Sequence, residues 1–179
     1  MSVLQLYLAM QKLWLEHVFW TRLYIISSLS NLPDKDIAAA RLLQNQVDIG
    51  NAIKPFYGNQ AGDQLRRLLQ VHITLATIIL DALKKGNIDE ATKAKNAWYQ
   101  NGDQIARLLS NANPYWPFPA VQEMMRNHLK LTLDEAAARL SKNYAADRDA
   151  FQQVEEEILQ MADMLSAGIV RQFPGKFTR

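Results

Sequence analysis

Apolar residues recur along this chain in steps of three and four, the spacing that puts side chains on one face of an α-helix. Val3, Leu6, Met10, Leu13, His17, Trp20 and Tyr24 form the first such stripe and predict a helix over residues 2–29. Asn31-Leu32-Pro33-Asp34 closes it, with Asp34 or Asp36 available to cap a second helix over 35–53, anchored by Ile37, Leu42, Leu43, Val47, Ile49 and Ile53. Pro55-Phe56-Tyr57-Gly58-Asn59 predicts a break, because proline lacks an amide donor and glycine tolerates positive φ. Leu65, Leu69, His72, Ala76, Ile79 and Leu83 mark a third helix over 62–85, stopped at Gly86. Asn87 with Glu90 has capping-box spacing and opens a fourth helix that runs to about residue 111.

Asn113-Pro114-Tyr115-Trp116-Pro117-Phe118-Pro119 forbids a regular helix, and its aromatics are expected to plug one end of the core. A short helix over 120–129 should follow. Thr132 with Glu135 repeats the capping-box spacing and predicts a fresh start there. The remainder to residue 172, with Val154, Ile158, Met161, Leu165 and Ile169, reads as one long helix or as two that part near Asn143. No segment alternates with the period of a strand. The fold expected is an all-α antiparallel bundle of five to six helices, in one domain over 1–179, with repeated helical hairpins as its unit.

Composition narrows the function classes. With 49% hydrophobic and 21% charged residues, the chain can bury a core. Cys 0 removes disulfides, zinc–thiolate and iron–sulfur sites, and cysteine nucleophiles, and suits a reducing cytoplasm. A net charge of +2, with its densest basic run in the tail at Arg171, Lys176 and Arg179, advertises no nucleic-acid surface. No secretory signal is evident, and Gln5, Gln11, Lys12, Glu16, His17 and Arg22 interrupt the apolar N-terminal stretch, so no membrane insertion is expected.

The three histidines lie at 17, 72 and 128, at intervals of 55 (72 − 17) and 56 (128 − 72). Aspartates at 48, 103 and 163 follow them by 31, 31 and 35 residues. His17 and Asp48 are centred near Leu32-Pro33, and His72 and Asp103 near Asn87, so each histidine is expected to face its aspartate across a hairpin. Imidazole binds divalent transition metals, and a carboxylate either shares the ion or orients the ring. His17, His72, His128, Asp48, Asp103 and Asp163 are therefore the candidate site for a divalent metal or small ligand. One alternative is purely structural hydrogen bonding that fixes the register of the core, in a helical module for self-association or partner binding; another is a metal-dependent enzyme with the histidines as ligands and an aspartate as base. His17 and His72 fall in apolar stripes. Asp48 shares a polar face with Arg41, Gln44 and Asn45, while near Asp103 it is Asn101 that lies closer to the apolar stripe.

Other chemistries lack their residues. Glu-x-x-His is absent, which argues against a di-iron carboxylate centre, and so is His-Glu-x-x-His. There is no glycine-rich phosphate loop and no Cys-x-x-Cys-His for haem attachment. Ser27, Ser28 and Ser30 read as helix-end residues.

Several stretches carry a likeness over nearly the whole chain: His17-Val18-Phe19-Trp20-Thr21-Arg22, Asn45-Gln46-Val47-Asp48-Ile49-Gly50, His72-Ile73-Thr74, Met124-Met125 with His128-Leu129, Met161-Ala162-Asp163-Met164-Leu165-Ser166, and Gln172-Phe173-Pro174. In these the chain resembles a family of small, uncharacterised bacterial helical proteins. The resemblance implies a helical fold and leaves the activity open. Some members carry an acetylglutamate kinase label, but this sequence lacks that enzyme's α/β pattern and glycine-rich nucleotide site.

Overall fold

A computed structural model describes residues 1–178. Its described residues form five α-helices: α1 (Val3–Leu29), α2 (Lys35–Lys84), α3 (Ile88–Ala112), α4 (Phe118–Leu140) and α5 (Tyr144–Gln172), then a 3-10 turn at Pro174–Lys176. No strand is present among these residues; Ser2 and Thr178 form a single parallel bridge that ties the two ends together. Arg179, the last residue of the basic tail, lies outside the described residues. None of the described helices is long and apolar enough to cross a membrane.

The 50-residue α2 is two limbs rather than one rod. Gly58, at φ 82 and ψ 170, interrupts the helix. Residues 50 and 62 would lie about 18 Å apart on a continuous helix. Instead, a methyl group added at Gly50 would stand 2.7 Å from the Gly62 carbonyl oxygen, so the second limb doubles back on the first. Lys54 and Asp63 pair across the reversal at 2.8 Å. The expected break over Pro55–Asn59 thus shrinks to one residue. Pro55 sits near the end of the first limb, where its missing amide costs one hydrogen bond, and glycine alone takes the positive φ.

With α2 divided, the chain is three hairpins: α1 with limb 35–57, limb 59–84 with α3, and α4 with α5. Each turns through one left-handed residue, Asn31 (φ 54), Gly86 (φ 71) and Lys142 (φ 59). In each, the following amide reaches five residues back at 2.9 Å: Leu32 to Ser27, Asn87 to Ala82, and Asn143 to Ala138. This closure satisfies carbonyls left free at a helix C-terminus. The three left-handed residues repeat the histidine intervals, 55 (86 − 31) and 56 (142 − 86). Asn87 and Asn143 then cap the next helices by accepting from the Glu90 and Ala146 amides.

Two boundaries differ from expectation. No helix starts at Thr132: α4 is continuous, the Thr132 hydroxyl donates to the His128 carbonyl at 2.9 Å, and Glu135 is drawn into the interior by Arg22. The capping-box spacing was there, but tertiary contacts claimed both side chains. The long C-terminal segment does part at Asn143, where Lys142 turns left-handed.

The core runs through all hairpins, with Ile105, Val121, Leu129, Ile158 and Ile169 entirely shielded from solvent. Burying each such side chain contributes about 1.5–3 kcal/mol. Trp116 closes one end as expected, seated against Gly168 where any side chain would collide with its ring, while Tyr115 remains exposed.

Candidate functional site at the histidine centre

The three histidines come together in the middle of the bundle, one from each hairpin. All are buried, at 4%, 3% and 5% exposure for His17, His72 and His128. The His17 and His128 rings stand 5.6 Å apart. Trp14 meets His17 edge-on at 5.9 Å, and Trp98 stacks on His72 at 4.9 Å.

Every histidine uses Nδ1 to reach across its own hairpin, and in each case the partner lies 29 residues on: Gln46 for His17, Asn101 for His72 and Glu157 for His128. The midpoints of these pairs, 31.5, 86.5 and 142.5, fall on the three left-handed turns. Residues equidistant from a turn stand at one height in an antiparallel hairpin, so the spacing places the pairs face to face.

The aspartates do not take that position. Asp48 accepts from Gln44 at 3.1 Å, Asp103 from Gln122 and Arg126 at 2.9 Å, and Asp163 from Gln11 at 2.8 Å. None hydrogen-bonds to a histidine. The reason is helical phase: Asp48 and Asp103 lie two residues beyond the facing residues, about 200° further round the helix, and Asp163 lies six beyond Glu157, about 240° round. Arg126 holds the Asp103 carboxyl below its usual range, as expected of a surface ion pair. Of the six candidates, the structure gathers the three histidines and leaves the three aspartates outside. Gln46 and Glu157 are the members that sequence reading missed, and the constant 29-residue spacing was the signal that could have found them.

The amide neighbours set the sense of each hydrogen bond. Gln46 Nε2 stands 2.8 Å from the Leu42 carbonyl and 3.1 Å from Asn45 Oδ1, so an N–H must face these acceptors. An amide nitrogen cannot accept, so its two hydrogens are shared with His17 Nδ1 at 3.2 Å as a third acceptor, and in that arrangement His17 carries its proton on Nε2. Asn101 is the reverse. Its Nδ2 donates to the Leu68 carbonyl at 3.1 Å, so Oδ1 accepts from His72 Nδ1–H at 2.7 Å. His72 Nε2 is then a bare lone pair, and it is buried with no hydrogen-bond partner. Glu157 Oε2 accepts from His128 Nδ1–H at 2.9 Å, which likewise leaves the ring's lone pair on Nε2 when neutral. Burial, reinforced by the other rings, lowers His17 well below its ordinary range and His72 to about 3; for His72 the Asn101 bond opposes the shift without reversing it.

Nine buried side-chain polar atoms lack a partner among the described residues, and five of them belong to these pairs and their aromatic neighbours: Gln46 Oε1, His72 Nε2, Glu157 Oε1, and the indole nitrogens of Trp14 and Trp98. Each such atom costs about 1–3 kcal/mol if nothing meets it. Above the histidines, toward the turns, lies an apolar cavity of about 30 Å³ lined by Thr21, Ala76 and Thr132, each four residues after its histidine. Thr21 and Thr132 return their hydroxyls to the His17 and His128 carbonyls, so no polar group enters the centre from that side.

No three His, Asp or Glu side chains of the described residues are grouped so as to enclose a metal ion. His72 and His128 have their Nδ1–H groups tied back to an oxygen, the arrangement usual for metal-binding histidines.

A second buried polar cluster lies between α1, α4 and α5. Arg22 donates to Glu135 at 2.7 Å and to both oxygens of Asp147 at 2.9 and 3.3 Å, and Arg139 adds a further bond to Asp147 at 3.3 Å. Glu135 and Asp147 are each 1% exposed. Burial raises the Glu135 carboxyl to about 7 despite the Arg22 bond that pulls it down.

The chain matches no protein-family model, no curated protein and no solved structure.

Proposed function

We propose that this protein is a binding bundle whose histidine centre takes up a divalent transition metal through Nε2 of His72 and His128. The observation that carries the reading is the buried, unpartnered Nε2 of His72, whose Nδ1–H is locked on Asn101. An imidazole held in that tautomer presents the lone pair a metal needs, and its partner oxygen raises the basicity of the ring. His128 is held in the same sense by a carboxylate. His17 is held in the opposite sense and supplies a donor, suited to a water or anion completing the coordination. Nitrogen donors of this kind select ions such as zinc, nickel or copper over magnesium or calcium. A chain with no cysteine suits the reducing cytoplasm, where we place this role.

The test is metal analysis of protein purified from zinc-supplemented cells, with His72→Ala and His128→Ala beside it. The reading predicts about one ion per chain, lost in both variants. A protein that stays metal-free and binds no zinc, nickel or copper on titration would reject it.

A second reading is favoured by the same Nδ1 bonds taken alone: three pins that set hairpin register, in a bundle that works by self-association. Leu4, Leu8, Phe19 and Leu23 leave an exposed apolar stretch along α1 for that purpose. Light scattering at rising concentration separates the two, since a strict monomer removes the support for self-association.

A further inference from the structure

A groove of about 770 Å³ runs between α4 and α5, and Glu157 lies in its lining. Glu157 is 8% exposed, so the carboxylate is a buried feature of the groove and not a surface charge. One of its oxygens is committed to His128 Nδ1–H at 2.9 Å, which fixes the group's orientation. The other, Oε1, is buried and has no partner. Met124, Met161 and Met164 supply the apolar lining, and Glu123, Asn127 and Gln160 stand along it.

Two cations also border the groove, yet neither is open to an anionic ligand. Arg126 is engaged by Asp103 at 2.9 Å and Lys130 by Asp134 at 2.6 Å. Glu123 forms no ion pair among the described residues, so the uncompensated charge along the groove is negative. A ligand that answers these features is a hydrogen-bond donor, is positively charged, and carries an alkyl body that the flexible, polarizable thioethers can follow.

We propose that the α4–α5 groove binds a small organic ammonium ion, with its head on Glu157 and its alkyl chain along Met124, Met161 and Met164. Oε1 is shielded from solvent in the free chain, so the ammonium head reaches it with a shift of the side chains that cover it, and an ion at the histidines is not required.

The probe is hexylammonium, with hexanol and hexanoate as uncharged and anionic counterparts, read by the methionine methyl resonances of the full chain. Saturable shifts at Met124, Met161 and Met164 are expected with hexylammonium. Hexanol should bind at least about tenfold more weakly, the difference a charge-assisted hydrogen bond makes. Glu157→Gln keeps an oxygen for His128 Nδ1–H but turns an amide N–H toward the groove, and should lose hexylammonium binding by a similar factor while its unfolding temperature confirms the fold. His72→Ala should lose metal and keep hexylammonium, which separates this proposal from the one above. Equal binding of the three probes, binding unchanged in Glu157→Gln, or methionine resonances that do not move would each overturn it.

Discussion

Two polar clusters are buried in this bundle, and they are built on opposite rules. The Arg22–Glu135–Asp147–Arg139 network joins α1, α4 and α5 with full charges, and its guanidinium and carboxylate groups are met by four hydrogen bonds of 2.7 to 3.3 Å. The histidine centre is built from neutral rings and amides, and it keeps five unpartnered polar atoms in and around it. A network that closes on itself holds helices together. A centre that satisfies one nitrogen of each ring and leaves the other side open has capacity for something else. The difference in satisfaction, more than the residue types, distinguishes a structural cluster from a candidate site.

The largest expected effect breaks the closed cluster. Arg22→Met would leave Glu135 and Asp147 facing each other in the interior with only Arg139 to meet them. A loss of about 3–5 kcal/mol is expected in urea-induced unfolding. A loss below 1 kcal/mol would mean that the network is solvated in solution.

Acid separates the clusters by sign. His72 titrates near 3 in the folded protein against 6.5 unfolded, so its stabilisation is complete above pH 6.5 and falls as pH drops toward 3. His17 is lowered by the same burial and acts in the same direction. Each contributes a slope of about 1.4 kcal/mol per pH unit. Glu135 is raised to about 7 from 4.5, so its contribution is complete below 4.5 and is lost as pH rises toward 7. Between 4.5 and 6.5 it offsets one histidine; below 4.5 it no longer does. Stability against pH should therefore decline gently from 6.5 and steepen below 4.5. A profile flat to pH 4 would contradict the buried neutral state of the histidines.

Asn101→Ala sharpens the comparison within the histidine centre. It removes the acceptor that holds His72 Nδ1–H, at an expected cost of about 1–3 kcal/mol, and should weaken zinc binding by about 10- to 100-fold. The same substitution at Asp103, two residues on, should leave zinc binding unchanged, since that carboxylate serves Arg126.

The smallest effects test the repeat that places the histidines. Lys142 occupies the left-handed position that Gly86 fills in the second hairpin. Lys142→Gly should stabilise the third hairpin by up to about 1 kcal/mol, and Gly86→Ala should destabilise the second by a similar amount. Thermal unfolding of the two variants checks both.

The sequence pattern made the helices legible because burial imposes a period of three to four that polar helix caps and turn residues punctuate. It located the turns at Leu32-Pro33 and Gly86-Asn87, left Asn143 as one of two options, and brought His17 and His72 inward through the apolar stripes around them. It did not resolve the α2 reversal to Gly58, because Pro55 looked like the breaker and the proline is carried within the limb. It chose the wrong partners for the histidines for a similar reason. Chemistry pointed to aspartate, while geometry required the residue equidistant from each turn, and that residue is a different type in every hairpin. Thr132 and Glu135 show the same limit, since a local capping signal yielded to the His128 carbonyl and to Arg22 from another hairpin.

The central claim is that His72 and His128 offer Nε2 to a metal while His17 holds the opposite tautomer. Nitrogen NMR of 15N-histidine-labelled protein, titrated with zinc, tests it most directly. The metal-free protein should show Nδ1–H tautomers for His72 and His128 and the Nε2–H tautomer for His17. One equivalent of zinc should shift the Nε2 resonances of His72 and His128 and leave His17 in its tautomer. Unshifted resonances at both rings after zinc addition would contradict the account and leave the three histidines as hairpin pins.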